Sequence, residues 1–504
     1  MTRPLLPLWA ALIVAAASGP VLDAGFPSLG LWPLAFVGIA LVLVSLIGRR
    51  AGSAALVGFV AGLSFYLLHI GWATEFLGEL LPMLALVFLE SLFCCAGAVA
   101  IALAYRWIPR SWPAVAGRLA LLPVVVAGLW TAREAIMSVW PYGGFAWGRV
   151  ALSQSQSPLA DLFSWVGVSG VSFIMVLTVA LAIEATRTRA LGGLLRASVA
   201  VGVAALVLVI PAFPNVVDGS IRVAAVQGDG EAAYMDQREY GDLLRAQFDA
   251  TQAIEDKTAD VVLWPEGGTD IDPLENASAA AVFDFISEEF GAPLVSGAIT
   301  QDGDDIYNSS LLWVAGEGAT DIYNKRHPVP FGEYIPDRAF WRPFAPDLID
   351  LVEREYSIGT TDPIFDLGKV RVAVNICFDI VDDQLMKESI DGHAQLIFAQ
   401  SNNADFGRTD ESVQQLAIAR IRALELGRSV VNISTVGTSA IILADGSTLD
   451  QLPWFTAGAM VADVPTSSTV TPAVVLGRQV EWLVSFFGLA MLLLSALVGR
   501  RRRG

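Results

Sequence analysis

Charged residues are scarce in this sequence. Only 16% of its 504 residues are Asp, Glu, Lys or Arg, while 54% are hydrophobic and the mean hydropathy is +0.56. A soluble globular protein usually has about 25% charged residues. The shortage is concentrated in apolar blocks within residues 1–213 and 480–498, and it excludes a wholly soluble protein. Residues 214–470 instead have the composition of an acidic soluble domain.

The apolar blocks are long enough to cross a bilayer, which takes about 20 mostly apolar residues. We therefore predict a multi-span α-helical membrane bundle with about eight transmembrane helices. The predicted spans cover residues 5–22, 29–48, 52–72, 81–105, 119–137, 163–184, 197–213 and 480–498. The chain then divides into a seven-span bundle over residues 1–213, a folded domain over 214–470, and a final span with a basic tail over 471–504.

Basic residues predict how the bundle is oriented, because Lys and Arg in short loops remain on the cytoplasmic side. They fall in alternate predicted loops, with Arg133 and Arg149 against the trend. The residues that follow the trend are Arg3, Arg49, Arg50, Arg106, Arg110, Arg118, Arg187, Arg189, Arg196 and Arg500 to Arg503. We expect a multi-pass protein of the cytoplasmic membrane, with both termini in the cytoplasm and residues 214–470 on the extracytoplasmic face.

Clusters of basic residues and histidines are also missing. The net charge is −18, which argues against a nucleic-acid partner because phosphate contacts need clustered Lys and Arg. The three histidines are His69, His327 and His393, and no spacing typical of a metal site occurs. The sequence therefore predicts neither a metal nor another cofactor.

Cysteine is equally rare. Cys94 and Cys95 lie inside the fourth apolar block, where small apolar packing is the simplest reading, and Cys377 is the only cysteine of the outer domain. On the extracytoplasmic side a disulfide could form, yet Cys377 has no second cysteine in its domain. It is either a buried structural thiol or a nucleophile.

Strand-like and helix-like patterns alternate in the outer domain, which indicates an α/β fold with functional groups at strand ends. The predicted strands cover residues 221–227, 259–268, 292–300, 308–316, 369–377, 393–401, 429–437 and 439–446, and the predicted helices cover about 236–256, 275–290 and 411–427.

Three residues at these strand ends or in a proline-rich loop could carry chemistry. Glu266 follows a buried-strand pattern and is a possible base, although an isolated carboxylate there more often caps a turn. Lys325, one of four lysines, is either a solvated loop charge or a cation that stabilises an oxyanion and lowers a thiol pKa. Cys377 would be the nucleophile. His327 is a possible base without supporting spacing.

The segments around these residues resemble the nitrilase (carbon–nitrogen hydrolase) superfamily, whose catalytic triad is Glu, Lys and Cys in this order. The matching segments are "LWPEGG" around Glu266, "YNKRHPVPFGEYIP" around Lys325 and "NICFD" around Cys377. With the membrane spans on both sides, nearly the whole chain resembles the apolipoprotein N-acyltransferase family. This resemblance implies that the outer domain is a nitrilase-like α-β-β-α sandwich.

The resemblance also implies a two-stage acyl transfer, the last step of lipoprotein maturation. Glu266 would take the proton of Cys377, which attacks the ester of a membrane phospholipid and becomes a thioester. Lys325 and the backbone N–H of Phe378 would stabilise the oxyanion, and Glu333 would assist. The α-amino group of the diacylglyceryl cysteine of an apolipoprotein would then accept the acyl group.

The sequence departs from the family pattern beside the nucleophile and in segments expected to hold or gate the lipid. Phe378 and Asp379 stand where the family has Tyr and Glu, and Asp405 stands where a large aromatic residue is expected. Tyr234 or Met235 replaces an aromatic residue after "VQG". Two other functions stay open: a membrane-tethered amidase that uses water, and a scaffold with weakened catalysis.

Overall fold

The computed structural model describes residues 3–188, 210–233, 236 and 239–501. The chain forms two compact units. The helical unit comprises Met1–Gly71, Leu80–Phe213 and Thr471–Gly504, and the sheet unit comprises Trp72–Glu79 and Pro214–Val470. Residues 197–209 of the seventh predicted span lie outside the described residues, as do Arg189, Arg196, Tyr234, Met235, Arg502 and Arg503.

The helical unit contains apolar helices at seven of the eight predicted spans. Five of them are long and apolar enough to cross a membrane: Ala51–His69, Leu80–Ser111, Gly117–Met137, Ala160–Arg187 and Pro472–Gly499. The helices Leu8–Asp23 and Pro33–Leu46 are apolar but shorter. A helix suits a lipid environment because all its backbone hydrogen bonds are internal. A membrane-spanning protein is therefore confirmed, while eight spans and their orientation stay predictions.

Arg133, which departs from the loop trend, lies inside the fifth predicted span, in the helix Leu122–Met137. Its guanidinium lies 3.2 Å from the Glu134 carboxylate and 5.0 Å from the centre of the Trp130 ring, and it donates to the Cys94 sulfur at 3.5 Å. A charge in an apolar helix needs such partners, which explains why it departs from the loop trend. Cys94 is consequently more than a small packing residue.

Twelve strands lie in the described part of the sheet unit. They are β1 (Gly219–Gln227), β2 (Val261–Leu263), β3 (Leu294–Asp302), β4 (Asp305–Val314), β5 (Gly318–Asn324), β6 (Ile364–Asp366), β7 (Arg371–Ile376), β8 (Leu396–Ser401), β9 (Ser429–Ser434), β10 (Ala440–Ile442), β11 (Thr448–Gln451) and β12 (Gly458–Thr466). Its helices are Ala73–Leu77, Asp242–Gln252, Ala277–Phe290, Arg338–Trp341, Pro346–Ile349, Asp383–Asp391 and Glu411–Leu426.

The strands form two six-stranded sheets, in the orders β12-β1-β2-β3-β4-β5 and β11-β10-β9-β8-β7-β6. Each sheet has three adjacent inner strands that are parallel: β1, β2 and β3 in one, and β7, β8 and β9 in the other. Antiparallel strands complete both edges. Central parallel strands are buried on both faces, which accounts for their continuous apolar runs.

Alternating side chains of β1 enter different cores. Val223 of β1 packs with Val374 of β7 between the two sheets. Its neighbour Ala224 packs on the outer face with Phe283 of the helix Ala277–Phe290. The helix Glu411–Leu426 lies against β9 and β10 of the second sheet. The predicted two-sheet nitrilase-like fold is therefore confirmed.

Sequence patterns missed β5, β6, β11 and β12 and overextended one helix. All four residues of β11 are exposed, and several residues of β12 are partly exposed, so neither strand has a strong apolar signal. The helix predicted over 236–256 spans only Asp242–Gln252, since Gly241 before it has φ 98° and leaves the helical conformation.

Candidate active site

Glu266 lies in the loop that follows β2, and its side chain is buried, with 8% of its surface exposed. The Asn308 amide donates to its Oε1 at 2.7 Å, and the backbone N–H of Asn402 donates to its Oε2 at 2.7 Å. Both carboxylate oxygens are thus fixed by hydrogen bonds, as a buried charge requires. Burial and the nearby Glu333 raise the pKa of Glu266, while the Lys325 cation acts in the opposite direction.

A glycine in the neighbouring strand allows the Glu266 loop to approach. A Cβ atom on Gly297 of β3 would lie 2.4 Å from the Pro265 carbonyl oxygen and 2.7 Å from the Glu266 Cα. Any larger residue would therefore displace the loop that carries Glu266.

Lys325 follows β5 and is almost completely buried, with 1% of its surface exposed. Its Nζ lies 2.7 Å from Glu333 Oε2 and 3.5 Å from Glu266 Oε1. Burial alone would lower the pKa of Lys325, but the Glu333 and Glu266 carboxylates together raise it well above its usual value. The ammonium therefore stays charged, as a group that stabilises an oxyanion must.

Glu333 is held in position by three partners. Besides the Lys325 ammonium, the backbone N–H of Val329 donates to its Oε2 at 2.7 Å, and Asn308 Nδ2 lies 3.1 Å from its Oε1. Asn308 thus contacts both Glu266 and Glu333. Since Glu333 forms the shorter ion pair, its geometry suits orienting Lys325.

Cys377 begins a short 3-10 turn, Cys377–Val381, directly after β7. Its φ is 50°, a left-handed conformation that non-glycine residues rarely adopt, and such strain is often found at functional sites. Burial and then Glu266 raise the pKa of Cys377 well above its usual value, Lys325 lowers it, and Glu411 and Glu333 raise it further. The thiol is therefore protonated at neutral pH and needs a base.

Asp379 anchors this turn to the loop that carries Lys325. Its buried carboxylate accepts hydrogen bonds from the Tyr323 hydroxyl at 2.8 Å and from the backbone N–H of Ile376 at 3.2 Å. The backbone N–H of His327 donates to it at 3.0 Å, and His327 Nδ1 lies 3.2 Å away. The His327 ring thus pairs with Asp379, which gives it a structural role in place of the possible role as base.

Of the other predicted positions, Phe378 is half-buried within the nucleophile turn. Asp405 lies in the short turn Ala404–Phe406, which follows the loop that contacts Glu266. The structure therefore brings Glu266, Lys325, Glu333 and Asp379 into one connected group with the Cys377 turn. Their catalytic roles remain predictions.

Five further polar residues complete the group, and sequence reasoning missed them. They are Asn308, Asn402, Asn403, Glu411 and Gln415. Asn308 interrupts an apolar strand and "SNN" follows one, so buried amides in such runs were an available signal. Glu411 and Gln415 lie on a helix where nothing in the sequence indicates burial of polar side chains. Among the described residues, no group of three or more His, Cys, Asp and Glu residues could hold a metal ion.

Comparison with known proteins places this chain in a family. Residues 18–181 match the apolipoprotein N-acyltransferase N-terminal domain, and residues 222–471 match the carbon–nitrogen hydrolase domain. The apolipoprotein N-acyltransferase of Mycolicibacterium smegmatis is 31% identical, over 97% of this chain and 85% of that protein. This chain belongs to the apolipoprotein N-acyltransferase family.

Another apolipoprotein N-acyltransferase, from Photobacterium profundum, is 26% identical over 98% of this chain and 96% of its own length. Among solved structures, an amidase from Nesterenkonia sp. aligns with 50% of this chain and 93% of its own, at 16% identity and a TM-score of 0.38. Membership of the family makes this chain an acyltransferase with membrane helices and a nitrilase-like domain.

Proposed function

We propose that the protein moves a fatty acyl group from a membrane phospholipid to the α-amino group of the N-terminal diacylglyceryl cysteine of apolipoproteins. The intermediate is a thioester on Cys377. The observation that carries this proposal is the connected group of Glu266, Lys325 and Glu333 around a thiol whose pKa is raised. Such a thiol reacts only if a positioned base removes its proton.

In the first stage the proton on Cys377 Sγ passes to the Glu266 carboxylate, and the sulfur attacks the carbonyl carbon of the phospholipid ester. The Lys325 ammonium and the Phe378 N–H stabilise the oxyanion. The tetrahedral intermediate then expels the lysophospholipid oxygen, which takes the proton back from Glu266. A thioester on Cys377 and a lysophospholipid are the products.

In the second stage the neutral α-amine of the apolipoprotein attacks the thioester carbonyl carbon. Glu266 accepts the proton that the amine loses, and the Cys377 sulfur leaves and recovers that proton. The amide product forms and the enzyme returns to its first state. Covalent catalysis of this kind divides one difficult transfer into two easier steps.

Both substrates carry acyl chains anchored in lipid, which fits an enzyme with several membrane helices. We propose that the protein lies in the cytoplasmic membrane, with both termini in the cytoplasm. Residues 1–213 and 471–504 would form the membrane part, and residues 214–470 the extracytoplasmic catalytic domain. The distribution of arginines between alternate loops supports this orientation.

The test uses the purified full-length protein in detergent. It is incubated with phospholipid, and mass spectrometry of the peptide that contains Cys377 measures the acyl adduct. A diacylated lipopeptide is then added. We expect the adduct to disappear as the triacylated peptide forms.

Two outcomes would contradict the proposal. An adduct that is lost only to water would identify an amidase or thioesterase. Absence of an adduct in the wild-type protein, with the same result in Cys377→Ser, would identify a scaffold. The Cys377→Ser variant is the matched control, because it changes only the sulfur atom.

A further inference from the structure

A side-chain amide, besides the charged groups, points at the nucleophile. Gln415 lies on the helix Glu411–Leu426 and is buried, with 3% of its surface exposed. Its Nε2 donates to the Cys377 sulfur at 3.7 Å, a normal length for a hydrogen bond to sulfur. The acidic residues Glu266, Glu411 and Glu333 all raise the pKa of Cys377 and so oppose a thiolate. A hydrogen-bond donor at this position would stabilise the thiolate of Cys377, as Lys325 does.

The neighbour Asn403 determines which end of the Gln415 amide faces the sulfur. Asn403 Nδ2 donates to Gln415 Oε1 at 2.8 Å and to Glu411 Oε2 at 2.7 Å. Because Gln415 Oε1 is engaged as an acceptor, its NH₂ group must lie on the side of Cys377. The donor is therefore oriented before any substrate binds.

The orientation of Asn403 is fixed in turn by hydroxyl groups at the ends of β8 and β9. The hydroxyls of Ser434 and Ser401 donate to Asn403 Oδ1 at 2.6 Å and 3.2 Å. Ser434 Oγ itself accepts from the backbone N–H of Gly437 at 2.9 Å, and this N–H can only donate. One direction of donation thus runs from the Gly437 backbone through Ser434, Asn403 and Gln415 to the sulfur.

Close packing keeps this chain of groups in place. A Cβ atom on Gly437 would lie 2.2 Å from Asn403 Oδ1, so a larger residue there would displace Asn403. Buried hydrogen-bond networks in which each member is satisfied are rigid, and their donors need no rearrangement during a reaction.

We propose that Gln415 is a further catalytic residue, whose Nε2–H stabilises the Cys377 thiolate while its proton is on Glu266, and that Asn403 is the positioning residue that orients it. This proposal rests on the proposed role of Cys377 as the nucleophile. It predicts that the sulfur has two stabilising partners, the Lys325 cation and a neutral amide.

The test measures the thiolate directly and does not need acyl transfer. Full-length wild-type protein and Gln415→Met are treated with iodoacetamide across a range of pH. The alkylation rate of the Cys377 peptide is followed by mass spectrometry, since only the thiolate reacts. We expect the rate in Gln415→Met to fall about tenfold at each pH below the thiol midpoint, as a hydrogen bond to a charged group has about this effect.

The matched control is Gln414→Met on the same helix. The Gln414 side chain accepts from Trp72 Nε1 at 3.1 Å and bonds to a different partner from Gln415. We expect its alkylation profile to agree with the wild type within about twofold. A second variant, Asn403→Leu, leaves the Gln415 amide in place but removes the group that orients it, and it should show a smaller shift in the same direction as Gln415→Met.

An alkylation profile of Gln415→Met that coincides with the wild type would overturn the inference, as would an equal shift in Gln414→Met. If Gln415→Met does not fold, an unchanged profile in Asn403→Leu would overturn it instead. Failure of the proposed function is a separate result, because wild-type Cys377 would then show normal alkylation but no adduct from phospholipid.

Discussion

Two buried acidic residues, Glu266 and Glu411, raise the pKa of Cys377, and they differ in the groups that contact them. Glu266 lies 3.5 Å from the Lys325 ammonium, whereas Glu411 accepts a hydrogen bond from the neutral amide of Asn403. Burial raises the pKa of both, that of Glu411 to about 8, but the cation opposes the increase only at Glu266. A base must be ionised, and of these two acids only Glu266 has an adjacent cation that favours its ionised form.

The largest effect is expected for Glu266→Gln, which removes the proposed base but keeps the shape and the acceptor oxygen. Loss of a general base typically reduces a rate by about 10²- to 10⁴-fold. We expect a loss of this size in the rate of Cys377 acylation, measured in a single turnover with phospholipid. A loss below about tenfold would show that another group takes the proton.

Lys325→Met should have the next largest effect. Removing one oxyanion-stabilising group usually costs about 10²- to 10³-fold in rate. The pH dependence should change too. Glu266 must be ionised to act, so the rate falls as the pH drops through its pKa, and Lys325 holds that pKa down. The acid limb of the acylation profile should therefore move to higher pH in Lys325→Met. An unchanged acid limb would show that Lys325 does not lower the pKa of Glu266.

Asp379→Asn should reduce the acylation rate less than Lys325→Met does, but it should reduce the stability of the protein more. The new NH₂ group would face donors among Tyr323, Ile376 and His327, and each buried donor without a partner costs about 1–3 kcal/mol. We expect a lower thermal unfolding midpoint in detergent together with slower acylation, because the Cys377 turn loses its anchor. A normal midpoint with normal acylation would contradict the anchoring role.

The smallest effect is expected for Glu411→Gln. Because the pKa of Glu411 is about 8, the wild-type side chain is mostly protonated at pH 7, and the acylation rates should agree within about twofold. Above pH 8 the wild type gains a negative charge that opposes the Cys377 thiolate, so the variant should become the faster protein. A large loss in the variant at pH 7 would make Glu411 part of the chemistry.

The raised pKa of Glu411 also predicts that the stability of the protein decreases as the pH rises. A carboxylic acid whose pKa is raised by folding contributes stability below its unfolded pKa, and this contribution is lost as the pH rises through the folded value. For Glu411 the window runs from about 4.5 to about 8. The thermal unfolding midpoint of the wild type should therefore fall more across this pH window than that of Glu411→Gln.

Much of the sheet unit could be predicted from the sequence, because its central strands are continuous apolar runs that end in Pro, Gly or polar residues. Glu266 and Cys377 were identifiable for that reason: each comes just after such a run. The edge strand β11 could not be predicted, since its residues are exposed and carry no apolar pattern.

The candidate site was predicted only in part, because distant amides complete it. Gln415 is 38 positions from Cys377 along the chain, and Asn308 is 42 positions from Glu266. Each amide is fixed by tertiary hydrogen bonds, and a single sequence carries no signal for such pairs. His327 shows the reverse case, since its proximity in sequence to Lys325 made it a possible base, although its ring pairs with Asp379.

The most direct test of the central claim compares the two carboxylic acids in one assay. Wild type, Glu266→Gln and Glu411→Gln are mixed with phospholipid at pH 7, and the acyl thioester on the Cys377 peptide is measured against time. We predict that the wild type and Glu411→Gln form the thioester at similar rates, while Glu266→Gln is at least about 100-fold slower. Rapid thioester formation in Glu266→Gln, with loss in Glu411→Gln, would contradict the account.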